Sequence, residues 1–403
     1  MEERLKALQI VQRLQENGFT AYFAGGWVRD HLLGVDSYDI DIATDAPVKT
    51  IQTLFEKTIP IGLQFGILVV VIGEKPFEVA TFRSDVSYED GRRPTSVIFT
   101  SAKEDASRRD FTINGMFFDP VQETIIDYVG GKNDIEKQVI RAIGNPYERI
   151  REDRLRMLRA VRFACKLGFT LDPETRKAIY FFRKGLFPFV AIERIAQELE
   201  KMLQHQTRKK ALQLLFSLEL LQEIFPDLQL ADAKALEKAT IKIEQFPQDV
   251  PLLIYLCILQ KNLDVEAYAT YLKRSKKEKL SALFWQKSAA LNEKDDLYTW
   301  ASFYAHPDAD RCIHLTSLQK SSEKKTAFLR THQARKKELF PFIKRLQNKT
   351  PVLNASYLMN KGITAGKTLG DLLKKAEILS VNQGITDPDT LWNHLNESAK
   401  LEE

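Results

Sequence analysis

The sequence predicts an α+β protein: an N-terminal head built on a mixed sheet, followed by neck, body and tail segments that are all helical. Three observations carry this. Strand-like apolar runs such as residues 66–72 and 77–83 are confined to the first part of the chain. From residue 151 onward apolar residues recur at helical spacing, broken near Pro226, Pro247 and Pro251. A length of 403 residues exceeds what one hydrophobic core organises and sets two to four domains. The division expected is 1–138 for the head, 139–205 for the neck, 206–270 for the body and 271–403 for the tail.

In order, residues 1 to about 20 read as a packing helix, with Leu5, Leu8, Ile10, Val11 and Leu14 at helical spacing and a stop at Asn17-Gly18. Residues 21–44, AYFAGGWVRDHLLGVDSYDIDIAT, read as strand, Gly-Gly turn, helix and second strand. In a strand, residues two apart share a face, so Asp39 and Asp41 set two carboxylates side by side while Ile40 and Ile42 point the other way. Such a pair suits a hard divalent ion, and Mg²⁺ takes one or two carboxylates with water and phosphate oxygens completing its shell. Gly25 and Gly26 let backbone N–H groups approach a triphosphate, and Arg29 adds a charge. Residues 45–58 read as a helix over the sheet. Glu78, on the strand at 77–83, is either a third carboxylate near the metals or a solvated strand residue.

The block at 21–44 resembles the signature of the polymerase β-type nucleotidyltransferase superfamily. Its Gly-Gly-x-Val-Arg-Asp wording is similar to the branch of tRNA nucleotidyltransferases and bacterial poly(A) polymerases. Residues 84–94, SDVSYEDGRRP, lack periodicity and read as a mobile loop. They resemble the loop that class II (bacterial-type) CCA-adding enzymes use in switching from CTP to ATP. Residues 108–114, RRDFTIN, match a further motif of that family, with Gly115 where Ala is usual. The resemblance makes Arg109 a nucleotide contact and gives Asp110 and Asn114 the task of holding the motif's shape.

Residues 151–167, REDRLRMLRAVRFACKL, read as one helix. Asp153, Arg156, Arg159 and Arg162 recur every three residues, with apolar flanks on both sides, so the row lines a cleft. A carboxylate beside a guanidinium fits the amino group and ring nitrogen of cytosine and adenine, and misfits uracil and guanine. This stretch resembles the family's EDxxR motif, which implies that Asp153 and Arg156 read the base and that Arg159 and Arg162 contact the nucleotide. Residues 191–194, AIER, resemble the pattern that closes the neck. Basic clusters at 208–210, 273–277, 335–337 and 344–345 suggest a phosphate-contacting surface in the helical half.

Composition limits the partners. With 59 basic and 54 acidic residues the net charge is only +5, so an RNA surface must come from clustering. Cys165, Cys257 and Cys312 are too scattered for a metal site and read as reduced thiols. The first helix lacks a signal-peptide core and no run spans a bilayer, so a cytoplasmic protein without membrane contact is expected. No His-Asp dipeptide occurs, which leaves a metal phosphohydrolase domain without support.

The resemblance implies a CCA-adding tRNA nucleotidyltransferase with Mg²⁺ on Asp39 and Asp41. Nucleotide contacts are expected at Gly26, Arg29, Arg109, Asp153, Arg156, Arg159 and Arg162. The partners expected are the tRNA 3′ end, CTP and ATP, with a homodimer as the one assembly considered. Alternatives are a poly(A) polymerase, an enzyme adding only CC or only A, and an inactive RNA-binding homologue. At residues 60–69 the chain has Phe65 and Ile67 where the family pattern GxxHGT has His and Thr.

Overall fold

The computed structural model describes residues 2–85, 97–228, 232–241, 243–260 and 262–400. Most of the loop expected to govern the change from C to A, residues 86–94, lies outside the described residues. The chain forms two compact units, Met1–Glu244 and Gln245–Glu403.

The first unit begins with α1 (Glu2–Glu16), which buries Ala7, Ile10, Val11 and Leu14 along one stripe. Gly18, at φ 83°, ends it by turning the Phe19 N–H back to the Leu14 carbonyl at 3.1 Å. The head strands are β1 (Ala21–Ala24), β2 (Asp41–Thr44), β3 (Thr58–Gly62), β4 (Ile67–Ile72), β5 (Lys75–Thr81), β6 (Arg83–Asp85), β7 (Val97–Phe99), β8 (Phe117–Asp119) and β9 (Thr124–Ile126). Seven of them make one sheet in the order β3-β4-β5-β2-β1-β8-β9, and β6 pairs with β7 separately. Only β2 and β5 run parallel within the large sheet, so it is mixed, as expected. Phe23, Trp27 and Phe118 pack together on it, and Phe117 packs against Tyr22 and Phe82. Each such ring contributes about 1.5–3 kcal/mol by leaving water.

Two local expectations are corrected. The helix expected over 45–58 covers only Val48–Leu54, because the chain resumes as β3, an exposed edge strand. Pro60 hid that strand in the sequence, and an edge is where a strand tolerates proline. The strand expected to carry both aspartates begins at Asp41, with Asp39 in the irregular chain before it. Ile40 and Ile42 are buried and Asp39 and Asp41 exposed, so the alternation holds across the boundary.

Helices α2 (Gly26–Leu32), α3 (Val48–Leu54), α4 (Ala102–Ser107) and α5 (Gly131–Glu136) flank the sheet. The short pair β10 (Val139–Ile140) and β11 (Thr170–Leu171) ties the head to the helices that follow. These are α6 (Pro146–Glu152), α7 (Arg156–Leu167), α8 (Pro173–Phe182), α9 (Ile192–Leu203), α10 (Arg208–Ser217), α11 (Leu220–Ile224) and α12 (Ala233–Thr240). The single helix expected over 151–167 is broken: α6 ends at Glu152, Asp153 is extended at φ −141°, and α7 starts at Arg156. The Asp153 carboxylate accepts from the Leu155 N–H at 3.0 Å, a local bond that competes with continuing the helix.

The second unit is helical throughout its described residues. One cluster packs Trp300, Phe303, Tyr304 and His332. His332 Nδ1 lies 2.8 Å from the Tyr304 hydroxyl, and burial, followed by Arg335 and Lys320, pushes the imidazole down to about 4. It is therefore neutral packing material at pH 7. A second core gathers Leu353, Leu358, Leu369, Ala376, Leu391 and Leu395.

Candidate active site

The head positions a glycine turn beside an aspartate. Pairing of β1 with β2 sets Ala24 opposite Asp41, and the chain turns at the next residue, Gly25. Gly25 has φ 67° and ψ −125°, a conformation that glycine adopts without strain. A Cβ there would stand 3.2 Å from Nη1 of Arg109, and one on Gly26 would stand 3.6 Å from Nη2 of Arg29. The turn is thus bare where two guanidinium groups approach it. Arg29 is buried beneath the turn, donating to Asp30 Oδ1 from Nε at 2.8 Å and to Asn114 Oδ1 from Nη1 at 2.7 Å. Arg109 is half-open, with its guanidinium 5.0 Å from the centre of the Phe117 ring.

One face of the sheet carries the carboxylates. Parallel pairing of Ile42 with Val79 brings Asp41 level with Glu78 one step back along both strands. Desolvation by the surrounding chain, then repulsion from Glu78 and from Asp39, outweighs Arg109 and pushes the Asp41 carboxyl up from 3.8 to about 6. Glu78 is raised as well, by desolvation and then by Asp39. Among the described residues no three His, Cys, Asp or Glu side chains are already arranged to hold one ion. The donor set nevertheless fits a hard divalent cation, because it consists of carboxylates that repel one another and that such an ion would neutralise. Glu78 lies level with Asp41 and adds its charge to that face.

A stability effect follows. Asp41 ordinarily titrates near 3.8 and in the folded chain near 6. Between those values the folded chain holds a proton the unfolded chain has released, so stability falls as pH rises through that window and stays lower above it. Asp41→Asn is expected to melt above wild type at pH 7.5 in chelator, with the gap closing below pH 4 and on adding Mg²⁺. Differential scanning fluorimetry across pH checks this; equal melting points at pH 7.5 would remove the electrostatic assignment.

Arg156, Arg159 and Arg162 each hold a carboxylate. Arg159 pairs with Asp110, bonding through Nε at 2.7 Å, and Arg162 Nε donates to Glu198 at 2.6 Å. Arg156 is buried and donates to Glu152 at 2.8 Å, to the Arg149 carbonyl at 2.6 Å and to the Arg108 carbonyl at 3.1 Å. Asp153 accepts from Arg194 at 3.0 Å. Asp153 and Arg156, expected to act together on a base, thus hold different partners, although Arg156 begins the helix at the break Asp153 makes. Burial alone would raise Asp110, but the charge and bonds of Arg159, then Asn114 and Arg156, hold it below the usual carboxylate range.

Three supporting residues escaped the sequence reading. Asp105, buried in α4, accepts from Arg108 at 2.7 Å and from Arg109 at 2.9 Å. The available signal was helical spacing: an acid three and four residues before the two arginines, inside a helix opened by the Ser101 and Glu104 capping box. Arg194, at the end of the pattern noted at 191–194 but given no role there, and Glu198, four residues on, both sit on α9, with partners 41 and 36 residues away. Sequence spacing does not reveal such pairs.

Residues 21–141 match the family described as the poly A polymerase head domain, and residues 168–231 match a probable RNA and SrmB-binding site of polymerase A. The CCA-adding enzyme of Bacillus pumilus is 47% identical over 219 residues, and that of Bacillus subtilis 45% over 221. The chain spans about half the length of the curated relatives it matches, 54% and 55% respectively. The crystal structure of the Bacillus stearothermophilus CCA-adding enzyme in complex with CTP superposes with a TM-score of 0.80 at 28% identity, covering 100% of this chain and 99% of that one. Over these segments and in its fold the chain is similar to CCA-adding enzymes. The head sheet and the helices after it are the α+β arrangement shared with that crystal structure. No helix among the described residues is long and apolar enough to cross a membrane.

Proposed function

We propose that the chain adds C, C and A in turn to the tRNA 3′ end from CTP and ATP in the cytoplasm, releasing pyrophosphate each time. The observation that carries this reading is the carboxylate face of Asp39, Asp41 and Glu78 beside the glycine turn, within electrostatic reach of Arg109. In this reading residues 1–138 carry the chemistry, 139–205 read the base, 206–270 form the helical body and 271–403 grip the tRNA.

Asp39 and Asp41, with Glu78 beside them, would hold Mg²⁺, which when bound lowers the pKa of the tRNA 3′-hydroxyl and balances charge on the departing pyrophosphate. The hydroxyl oxygen forms a bond to the α-phosphorus as the bond to the β-phosphate bridge breaks, and the hydroxyl proton leaves to solvent. Gly26 keeps the turn open to the phosphates, Arg109 faces them, and Arg29 supports the turn from beneath. Asp153 and Arg156 choose the base, with Arg159 and Arg162 along the same helix. Choice without a template requires that a wrong base leave donors facing donors, a cost of about 1–3 kcal/mol for each unmade bond.

Extension of a tRNA lacking its last three nucleotides tests the activity. Two C residues with CTP alone and one further A with ATP are expected on a denaturing gel. A long A ladder would identify a poly(A) polymerase, a halt at CC an enzyme adding only CC, and no extension would overturn the reading. Base choice is tested by Asp153→Ala with Arg156→Ala, expected to narrow the preference for CTP over UTP by roughly 10- to 100-fold. A double variant that rejects UTP and GTP as wild type does would move base reading elsewhere.

A further inference from the structure

We infer that the end of α8 and the turn after it form a stacking platform for single-stranded RNA, made by Tyr180, Phe181 and Phe189 with the arginines behind them. The inference rests on the reading of the chain as a tRNA nucleotidyltransferase and assigns part of its RNA contact.

Residues 180–189 read YFFRKGLFPF, five aromatic rings and two cations in ten positions. A packing segment would turn those rings inward. Phe182 does so, but Tyr180, Phe181 and Phe189 are 44%, 67% and 51% exposed. Adjacent exposed rings on one turn are unusual in a surface that meets only water.

The rings are held from behind. The Arg183 guanidinium lies 3.7 Å from the centre of the Tyr180 ring. Glu219, on the turn between α10 and α11, fixes both by accepting from Arg183 Nε at 2.6 Å and from the Tyr180 hydroxyl at 3.0 Å. Arg154 is set between Phe182 and Phe189, at 4.9 and 4.4 Å from their ring centres. Its Nε is buried without a hydrogen-bond partner, so the rings rather than a carboxylate hold this cation. A Cβ on Gly185 would fall 1.7 Å from Arg154 Nη1, and the backbone is bare there to admit it. Phe181 stands edge-on to Phe182 at 4.9 Å and to Tyr147 at 5.8 Å.

The result is a set of ring faces whose orientation is fixed in advance, with Arg176 on α8 and Lys184 in the turn after it exposed on the same segment and Arg151 exposed on α6. Fixed π faces interleaved with cations suit unpaired bases on a phosphate backbone: bases stack on rings and guanidinium planes, and phosphates meet the charges. The segment also lies within residues 168–231, which match the family described as a probable RNA-binding site.

The test replaces ring faces and keeps apolar bulk. A chain carrying Tyr180→Leu, Phe181→Leu and Phe189→Leu is titrated, without nucleotide, into fluorescein-labelled tRNA lacking its CCA end, and anisotropy is read. The Kd is expected to rise at least tenfold while the affinity for CTP alone is unchanged. Phe181→Leu alone, at the most exposed ring, is expected to raise it at least threefold, and Phe181→Trp to restore wild-type binding or better. Leucine chains that bind tRNA within twofold of wild type would overturn the platform. A wild-type chain that binds tRNA but adds no nucleotide would overturn the proposed activity and leave the platform standing.

Discussion

Asp41→Asn is expected to lower CMP incorporation by about 10³-fold or more, since several kcal/mol of charge stabilisation are lost and each ~1.4 kcal/mol is tenfold. Asparagine keeps the size of the side chain and one of its oxygens but removes the charge that draws a cation. Position makes Asp41 the more exposed to this test: it opens β2 opposite Ala24, at the mouth of the glycine turn, and it feels both Glu78 and Asp39. Single-turnover incorporation from labelled CTP measures the loss. Affinity for tRNA, read by filter binding, should stay within a few-fold, because the substitution leaves the helical surfaces untouched. Unchanged turnover would remove Asp41 from the chemistry. The same variant is expected to gain thermal stability in chelator, so lost activity cannot be put down to unfolding.

Asp105→Ala is the second large effect. Its carboxylate is buried and holds Arg108 and Arg109 at once, besides accepting from the Arg83 N–H at 3.2 Å. Burial would raise its pKa, but Arg109 and then Arg108 hold it below the usual range. Removing one partner from a buried ion pair costs about 3–5 kcal/mol, chiefly because the other charge stays behind. For a unit of this size about 1 kcal/mol shifts melting by 2–4 °C, so a drop of about 6–20 °C is expected in the head transition. Arg109 also loses its anchor. At a temperature where the variant is folded, KM for CTP should rise more than kcat falls, and Asp105→Glu should recover part of it. A melting point within 2 °C of wild type would show that the arginines find other partners.

Much of the head was legible because its signals are local. Gly25-Gly26, the alternation of Asp39 and Asp41 with Ile40 and Ile42, and the apolar run in β4 are set by neighbouring residues alone. The misread pieces are those where one residue overrides the pattern around it. Pro60 masks an edge strand, and Asp153 breaks a helix that the spacing of Arg156, Arg159 and Arg162 suggests is continuous. Glu78 could not be weighed from sequence, because only the parallel pairing of β2 and β5 sets it beside Asp41. The arginine row was legible as a row, and its partners were not. Asp110, Arg194 and Glu198 reach it across 49, 41 and 36 residues.

Arg29, Arg109, Arg156, Arg159 and Arg162 are each already bonded to a carboxylate. On the proposed function a triphosphate facing Arg109 would share a cation that Asp105 already holds, and would gain less than from a bare one. On the proposed reaction the same balance would act when pyrophosphate departs, with Asp105 reclaiming Arg109. For a chain that makes three additions in turn, as proposed, loose retention of the product serves better than tight capture. Stray polyanions such as heparin would find the cleft a poor trap for the same reason.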